Sequence, residues 1–203
     1  MTPTDEAVLS ACAVSDAMAQ LGLHGTIGTL SAASLGSVAI GPAFTVRFRE
    51  GGSGAFNDYL PTVPAGCMVF IDAGGRTDVS AWGGIIGAEA QRLGVRGTVV
   101  NGACRDVHEL SELGYQVFAL TSTPASGRRI ISSDEVGCTL TVEGVTVRPG
   151  DLVVADVDGV VVVPSERAEE VLALARDIAR RDEELKRLVR AGTSLADARR
   201  SLA

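Results

Sequence analysis

A chain of 203 residues with 46% hydrophobic side chains and a mean hydropathy of +0.25 is long enough to bury a sizeable core without disulfide or metal staples. Its net charge of −7 argues against a general nucleic-acid surface. No apolar run approaches the roughly 20 residues of a membrane span, and the acidic start, Met1 to Glu6, does not read as a secretory signal.

Thr4, followed by Asp5, Glu6 and apolar residues at Val8, Leu9, Cys12, Val14, Met18 and Leu21, predicts an N-terminal helix that stops at Gly22. From Gly36 to Arg49 the texture is β, with alternation over Ala43 to Arg49 that suits a strand with one apolar face. A turn at Pro64-Ala65-Gly66 launches Cys67 to Asp72, apolar on both faces and so a buried central strand. Ala73 to Gly84 is too rich in glycine for a helix and reads as a loop, opening into a helix from Ile85 to Leu93 that Gly94 ends. A strand from Gly97 to Asn101, a short helix from Arg105 to Leu113 and a strand from Tyr115 to Ala119 follow. That alternation predicts parallel strands with right-handed crossovers. Beyond Gly127 the pattern becomes antiparallel, with Cys138 to Val142 and Val145 to Val147 about Glu143-Gly144, and two short strands about Asp158-Gly159 between Leu152 and Pro164. Ser165 with Glu166 opens an amphipathic helix to about Arg190. No linker or repeat interrupts this pattern, so residues 1–203 are expected to form one domain, with surplus apolar surface in subunit interfaces.

The four cysteines, Cys12, Cys67, Cys104 and Cys138, are far apart and read as reduced thiols of a cytoplasmic protein. With only His24 and His108, any metal is expected to be held by oxygen and to be of the Mg2+ or Mn2+ kind. Arg105 and Asp106 stand where a strand pattern gives way to a helical one, which is where α/β folds place their chemistry. Small Gly102 and Ala103 before them allow a sharp turn. Asp106 is either a helix cap or a cation ligand, with Arg105 either its surface neighbour or the partner of an organic anion. Glu109 either extends the acidic site or completes a capping box with Asp106. Cys104 beside Arg105 has only His108 near it as a base. Gly83 and Gly84 lie too far beyond Asp72 for a dinucleotide fingerprint, which leaves little support for a nucleotide-type cofactor such as a methyltransferase uses. Amides at a helix start, here Ile85 and Ile86, bind small anions such as carboxylates, while glycines there also permit tight packing. Trp82 walls a pocket or anchors the loop, and Asp156 and Asp158 read as turn residues.

Val14-Ser-Asp-Ala-Met18, Trp82-Gly-Gly-Ile-Ile86, the stretch from Gly94 to Arg105-Asp106, Val117-Phe-Ala119, the stretch from Arg148 to Pro164, and Ala191-Gly-Thr-Ser194 together resemble the RraA-like family. That family holds metal-dependent 4-hydroxy-4-methyl-2-oxoglutarate / 4-carboxy-4-hydroxy-2-oxoadipate aldolases and regulators of ribonuclease E activity. The resemblance implies a swivelling-domain-like α/β/β sandwich with N- and C-terminal helices, assembled as a homotrimer or homohexamer with the site between subunits. By position it implies that Asp106 binds Mg2+ or Mn2+, that Arg105 binds the 2-oxo acid, and that the amides of Ile85 and Ile86 behind Gly83 and Gly84 receive the pyruvyl carboxylate. An acid of a neighbouring subunit's C-terminal helix, among Asp182, Glu183 and Glu184 with Glu183 foremost, is implied to reach the metal through water. Many aldolase members carry Asp or Glu where this chain has Gly84, so returning an acid there is expected to tighten metal binding. The implied activity is a class II aldolase with an oxaloacetate decarboxylase side activity; the alternative is a non-catalytic regulator that binds an RNA-processing enzyme.

Overall fold

The computed structural model describes residues 9–33, 38–51, 56–127 and 130–202. The expected helix start at Thr4 and the opening of the segment at Gly36 lie outside the described residues. Ser10 caps α1 (Ala11–Gln20), its hydroxyl accepting from the Ala13 amide at 3.1 Å. Two short strands, β1 (Thr26–Ile27) and β2 (Ser31–Ala32), lead to β3 (Ala39–Glu50) and a helical turn, α2 (Phe56–Tyr59). Then β4 (Met68–Trp82), α3 (Gly84–Arg92), β5 (Gly97–Cys104), α4 (Val107–Leu113) and β6 (Val117–Ser122) alternate. The strands β7 (Ile131–Val136), β8 (Leu140–Val142), β9 (Val145–Val147), β10 (Leu152–Asp156) and β11 (Gly159–Val163) precede α5 (Ala168–Arg190) and α6 (Leu195–Ser201).

Among the described residues the main sheet runs β1-β11-β10-β3-β4-β5-β6-β2, with β7 beside the far part of β3 and β8–β9 as a separate hairpin. The strands β3, β4, β5 and β6 are parallel, as the strand–helix alternation predicts. Strand β3 serves two neighbours in turn: residues 39–42 pair antiparallel with β10, and residues 43–47 pair parallel with β4.

Successive side chains of a strand point to opposite faces, so the packing can be read off alternate residues. Val69, Ile71, Val100, Val117 and Ala119 pack on one side with Ala90 of α3 and Leu110 of α4. Met68, Phe70, Val99 and Phe118 pack on the other with Val153, Ala155, Val160 and Val162 of β10 and β11. The outer face of that second layer, Val154, Val161 and Val163, is covered by Val14 and Met18 of α1 and Val171 and Ala175 of α5. The result is the expected α/β/β sandwich, with the terminal helices as an outer cover. Much of the chain's apolar content lies in strands buried on both faces.

The strands run longer than the sequence predicts. Residues 73–82, expected as a loop, continue β4: Arg76, Ser80 and Trp82 pair with Gly102, Ala103 and Cys104, and the surplus residues are taken up in bulges where Gly74 and Gly75 adopt φ +68° and +71°. Gly102 therefore does not turn the chain. It sits inside β5, where a Cβ would lie 2.9 Å from the Arg76 carbonyl oxygen, so its missing side chain admits the neighbouring strand. Strand β7 and helix α6 are additions to the expected elements. No helix among the described residues is long and apolar enough to cross a membrane.

Candidate active site

Three parallel strands end side by side, for Trp82 pairs with Cys104 and Cys104 with Ser122. The backbone beyond them stays knitted: the Arg105 amide donates to the Trp82 carbonyl and the Thr123 amide to the Cys104 carbonyl, each at 2.9 Å. Gly83-Gly84, Arg105-Asp106 and Thr123-Pro124 thus emerge together at the carboxyl edge of the sheet. Trp82, buried and stacked on Tyr115 at 6.3 Å, anchors this edge from below.

Asp106 has φ 56° and ψ 37°, a left-handed conformation that Asp tolerates better than most residues yet that costs on the order of 1–3 kcal/mol. The chain turns here, not at Gly102, and the turn decides where the carboxylate goes. Although Asp106 occupies the N-cap position of α4, its side chain makes no capping bond there, and the capping box with Glu109 does not form. Its Oδ2 instead accepts from the Gly84 amide of α3 at 3.1 Å, and Arg105 Nε lies 3.1 Å from each of its oxygens. Asp106 caps a helix 22 residues upstream. Both side chains keep solvent access, Arg105 at 38% and Asp106 at 25% exposure.

The glycine pair is explained by these charged neighbours. A Cβ on Gly83 would lie 2.8 Å from Asp106 Oδ2 and 2.9 Å from Arg105 Cγ. A Cβ on Gly84 would lie 2.2 Å from Glu109 Oε2. Gly84 therefore has one carboxylate on its amide and a second filling the space where its own side chain would begin. A carboxylate is thus present beside residue 84 although none is carried by it: that of Glu109, at the end of an exposed side chain. Among the described residues no three His, Cys, Asp or Glu side chains group as a metal cage. Two carboxylates converging on one glycine suit a hard cation that keeps most of its water, as Mg2+ does.

The amides of Ile85 and Ile86 follow that of Gly84, ahead of the first intrahelical bond from Gly87 to Gly83. The Ile85 side chain is 84% exposed, while Ile86 packs against the core. A cleft of about 300 Å3 is lined by Arg105 and Asp106 with Val107, Ser122, Thr123 and Pro124. The last three were not foreseen, since the strand pattern stops at Ala119; the signal available was a run of hydroxyls, Thr121-Ser122-Thr123, ahead of a proline.

Other candidates fall away from the site. Cys104 is buried, and burial, reinforced by the Asp106 charge, pushes its thiol up to about 11, so it is no nucleophile at neutral pH. His108 is exposed and lies 3.5 Å from Glu112 on the outside of α4. Asp156 accepts from the Ala11 and Asp158 amides, which makes it a cap for α1. Glu183 and Glu184 pair with Lys186 and Arg187 on α5, which packs on α1 and the β10–β11 layer, the opposite side of the sandwich. Within one chain, neither they nor Asp182 join Arg105 and Asp106.

A family model described as RraA-like, Aldolase/RraA, matches residues 11–162. Protein DlpA of Legionella pneumophila is 34% identical over 191 residues; the match covers 92% of this chain, which spans 31% of that protein. The 4-hydroxy-4-methyl-2-oxoglutarate aldolase of Thermus thermophilus is 38% identical over 100 residues, covering 49% of this chain and 60% of that one. The crystal structure of Streptomyces coelicolor RraAS2, described as an unusual member of the RNase ES inhibitor RraA protein family, superposes with a TM-score of 0.80 at 29% identity, over 89% of this chain and 93% of the other. With the sandwich, the glycine pair and the Arg-Asp turn in place, the chain belongs to the RraA-like family.

Proposed function

We propose that the protein is a divalent-metal-dependent lyase that cleaves a 4-hydroxy-2-oxo diacid of the 4-hydroxy-4-methyl-2-oxoglutarate type, and decarboxylates oxaloacetate, through a pyruvate enolate. The observation that carries this reading is Arg105 bound to Asp106 against the start of α3, open to a cleft. The name of the Thermus thermophilus relative supports the substrate class.

Asp106, with Glu109 beside it at Gly84, would hold Mg2+ or Mn2+. The ion supplies Lewis-acid charge for the oxyanion that develops at C2. The amides of Ile85 and Ile86 receive the C1 carboxylate at the helix start. Arg105 keeps its Nε on Asp106 and turns its remaining N–H groups to the C2 oxygen. As the C3–C4 bond breaks, its electron pair passes to the enolate. In the hydroxy diacid the C4 hydroxyl loses its proton and C4 leaves as the carbonyl carbon of a second pyruvate; in oxaloacetate C4 leaves as carbon dioxide. A proton returned to C3 gives pyruvate. Water carries both protons, since the described residues lining the cleft offer no base besides Asp106. Glu183 of a neighbouring subunit would join the site in a homotrimer or homohexamer.

Pyruvate release from oxaloacetate and from 4-hydroxy-4-methyl-2-oxoglutarate, read with lactate dehydrogenase, is the test. Turnover with Mg2+ that EDTA abolishes is expected, and no turnover at millimolar metal overturns the reading. That second outcome would favour a non-catalytic regulator of an RNA-processing enzyme, the role to which the description of the Streptomyces coelicolor relative points.

Glu109 gives a separate prediction. Glu109→Gln, which keeps shape and removes charge, should weaken Mn2+ binding about tenfold in calorimetry, the loss of one partly solvated charge contact. Gly84→Asp should not tighten binding, because its Cβ needs the place of the Glu109 carboxylate. Tighter Mn2+ binding in Gly84→Asp would show that the two acids act side by side.

A further inference from the structure

The cleft beyond Arg105 has a wall that the proposed chemistry leaves unused. A 2-oxo diacid whose C1 carboxylate rests on the Ile85 and Ile86 amides and whose C2 oxygen meets Arg105 still has its far carboxylate to place. Ser122, Thr123 and Pro124 line the cleft together with Arg105 and Asp106. We propose that this wall is the subsite for the distal carboxylate of a 2-oxo diacid, with the Ser122 and Thr123 hydroxyls as its donors. The proposal rests on the lyase reading for the placement of the 2-oxo acid.

Three features suit the wall to an anion. Thr123 Oγ1 already accepts from the Ala125 amide at 3.3 Å, a local side-chain turn, so its proton is the part left to give. Ser122 closes β6 opposite Cys104 with its side chain exposed, so its hydroxyl is open to a ligand. The wall is also held rigidly. Thr123 is bonded to the Cys104 carbonyl, the Ser80 amide donates to the Ala125 carbonyl at 2.9 Å, and the Gly127 amide donates back to Ser80 at 3.2 Å. A Cβ on Gly127 would lie 2.4 Å from the Ser80 carbonyl oxygen, which shows how closely this loop is pressed on β4. The backbone that carries the two hydroxyls is thus held in place, and a polar site on a held backbone discriminates against a ligand that leaves it unpaired.

Two unreactive probes separate this subsite from catalysis. 2-Oxoglutarate carries the distal carboxylate but no C4 hydroxyl to cleave from, and 2-oxopentanoate has the same chain length with a methyl end. In calorimetry with Mg2+ present, the wild-type protein should bind 2-oxoglutarate at least about tenfold more tightly than 2-oxopentanoate, the size expected of charge-assisted hydrogen bonds. Ser122→Ala with Thr123→Val should reduce that ratio to about two or less, chiefly by weakening the diacid. Ser122→Ala alone, at an exposed strand end, folds in any event and should remove part of the preference. An unchanged ratio in both variants, or no preference in the wild-type protein, overturns the subsite while leaving the lyase reading in place if pyruvate is still released from oxaloacetate. Failure of both probes to bind, together with no pyruvate release, removes the lyase reading and the subsite with it.

Discussion

Asp106→Asn should abolish Mn2+ binding and lower kcat/KM for oxaloacetate by on the order of a thousandfold, while the thermal midpoint stays within about 2 °C of wild type. The two halves of this expectation come from different atoms. Asn tolerates the left-handed backbone at residue 106 and keeps a carbonyl oxygen to accept from the Gly84 amide, so the cap on α3 survives. The negative charge does not survive, and with it go the proposed hold on the cation and the anion that fixes Arg105 Nε. Asp106→Ala is the contrasting variant, since it loses the cap, about 1 kcal/mol, and strains the turn by a similar amount. Its midpoint should fall by several degrees, at roughly 2–4 °C per kcal/mol for a chain of this size. Pyruvate release, calorimetry with Mn2+ and a melting curve on the two variants separate charge from architecture. Wild-type turnover in Asp106→Asn would remove the proposed ligand.

The fold was largely legible because its signals are local. Met68 to Asp72 is apolar on both faces, Gly94 and Gly114 stop helices that apolar spacing starts, and the Asp158-Gly159 pair marks a tight turn. Strand ends were less legible, because pairing rather than composition sets them. Residues 73–82 look like a loop until β5 offers Gly102 to Cys104 as partners, and the glycines that suggested irregularity prove to be bulges. That shortfall hid Ser122, Thr123 and Pro124, which matter because β6 reaches as far as β5 does. The Arg105-Asp106 pair could be picked out at its junction, but its partner could not. Nothing near residue 106 shows that its carboxylate will cap a helix 22 residues earlier, or that Glu109 will fill the space beside Gly84. The carboxylate of Asp106 is set by a left-handed turn at a non-glycine residue, for which the sequence pattern carries no signal.

Arg105 offers the second large effect, and one in which binding and turnover should part. Its Nε is committed to Asp106, which leaves the rest of the guanidinium for the substrate oxygen. A lysine has one ammonium for both tasks and no fork to divide between them. Arg105→Lys should therefore lose nearly as much as Arg105→Ala, each about a hundredfold in kcat/KM for oxaloacetate, equivalent to about 3 kcal/mol of barrier. Mn2+ binding should move the other way in Arg105→Ala. Removing the guanidinium frees the Asp106 carboxylate from a competing cation, so the Mn2+ dissociation constant should fall or hold steady. Calorimetry beside pyruvate release reads both. If Mn2+ binding were lost in step with turnover, Arg105 would act by holding Asp106 in place, and the charge that steadies the enolate would have to come from elsewhere.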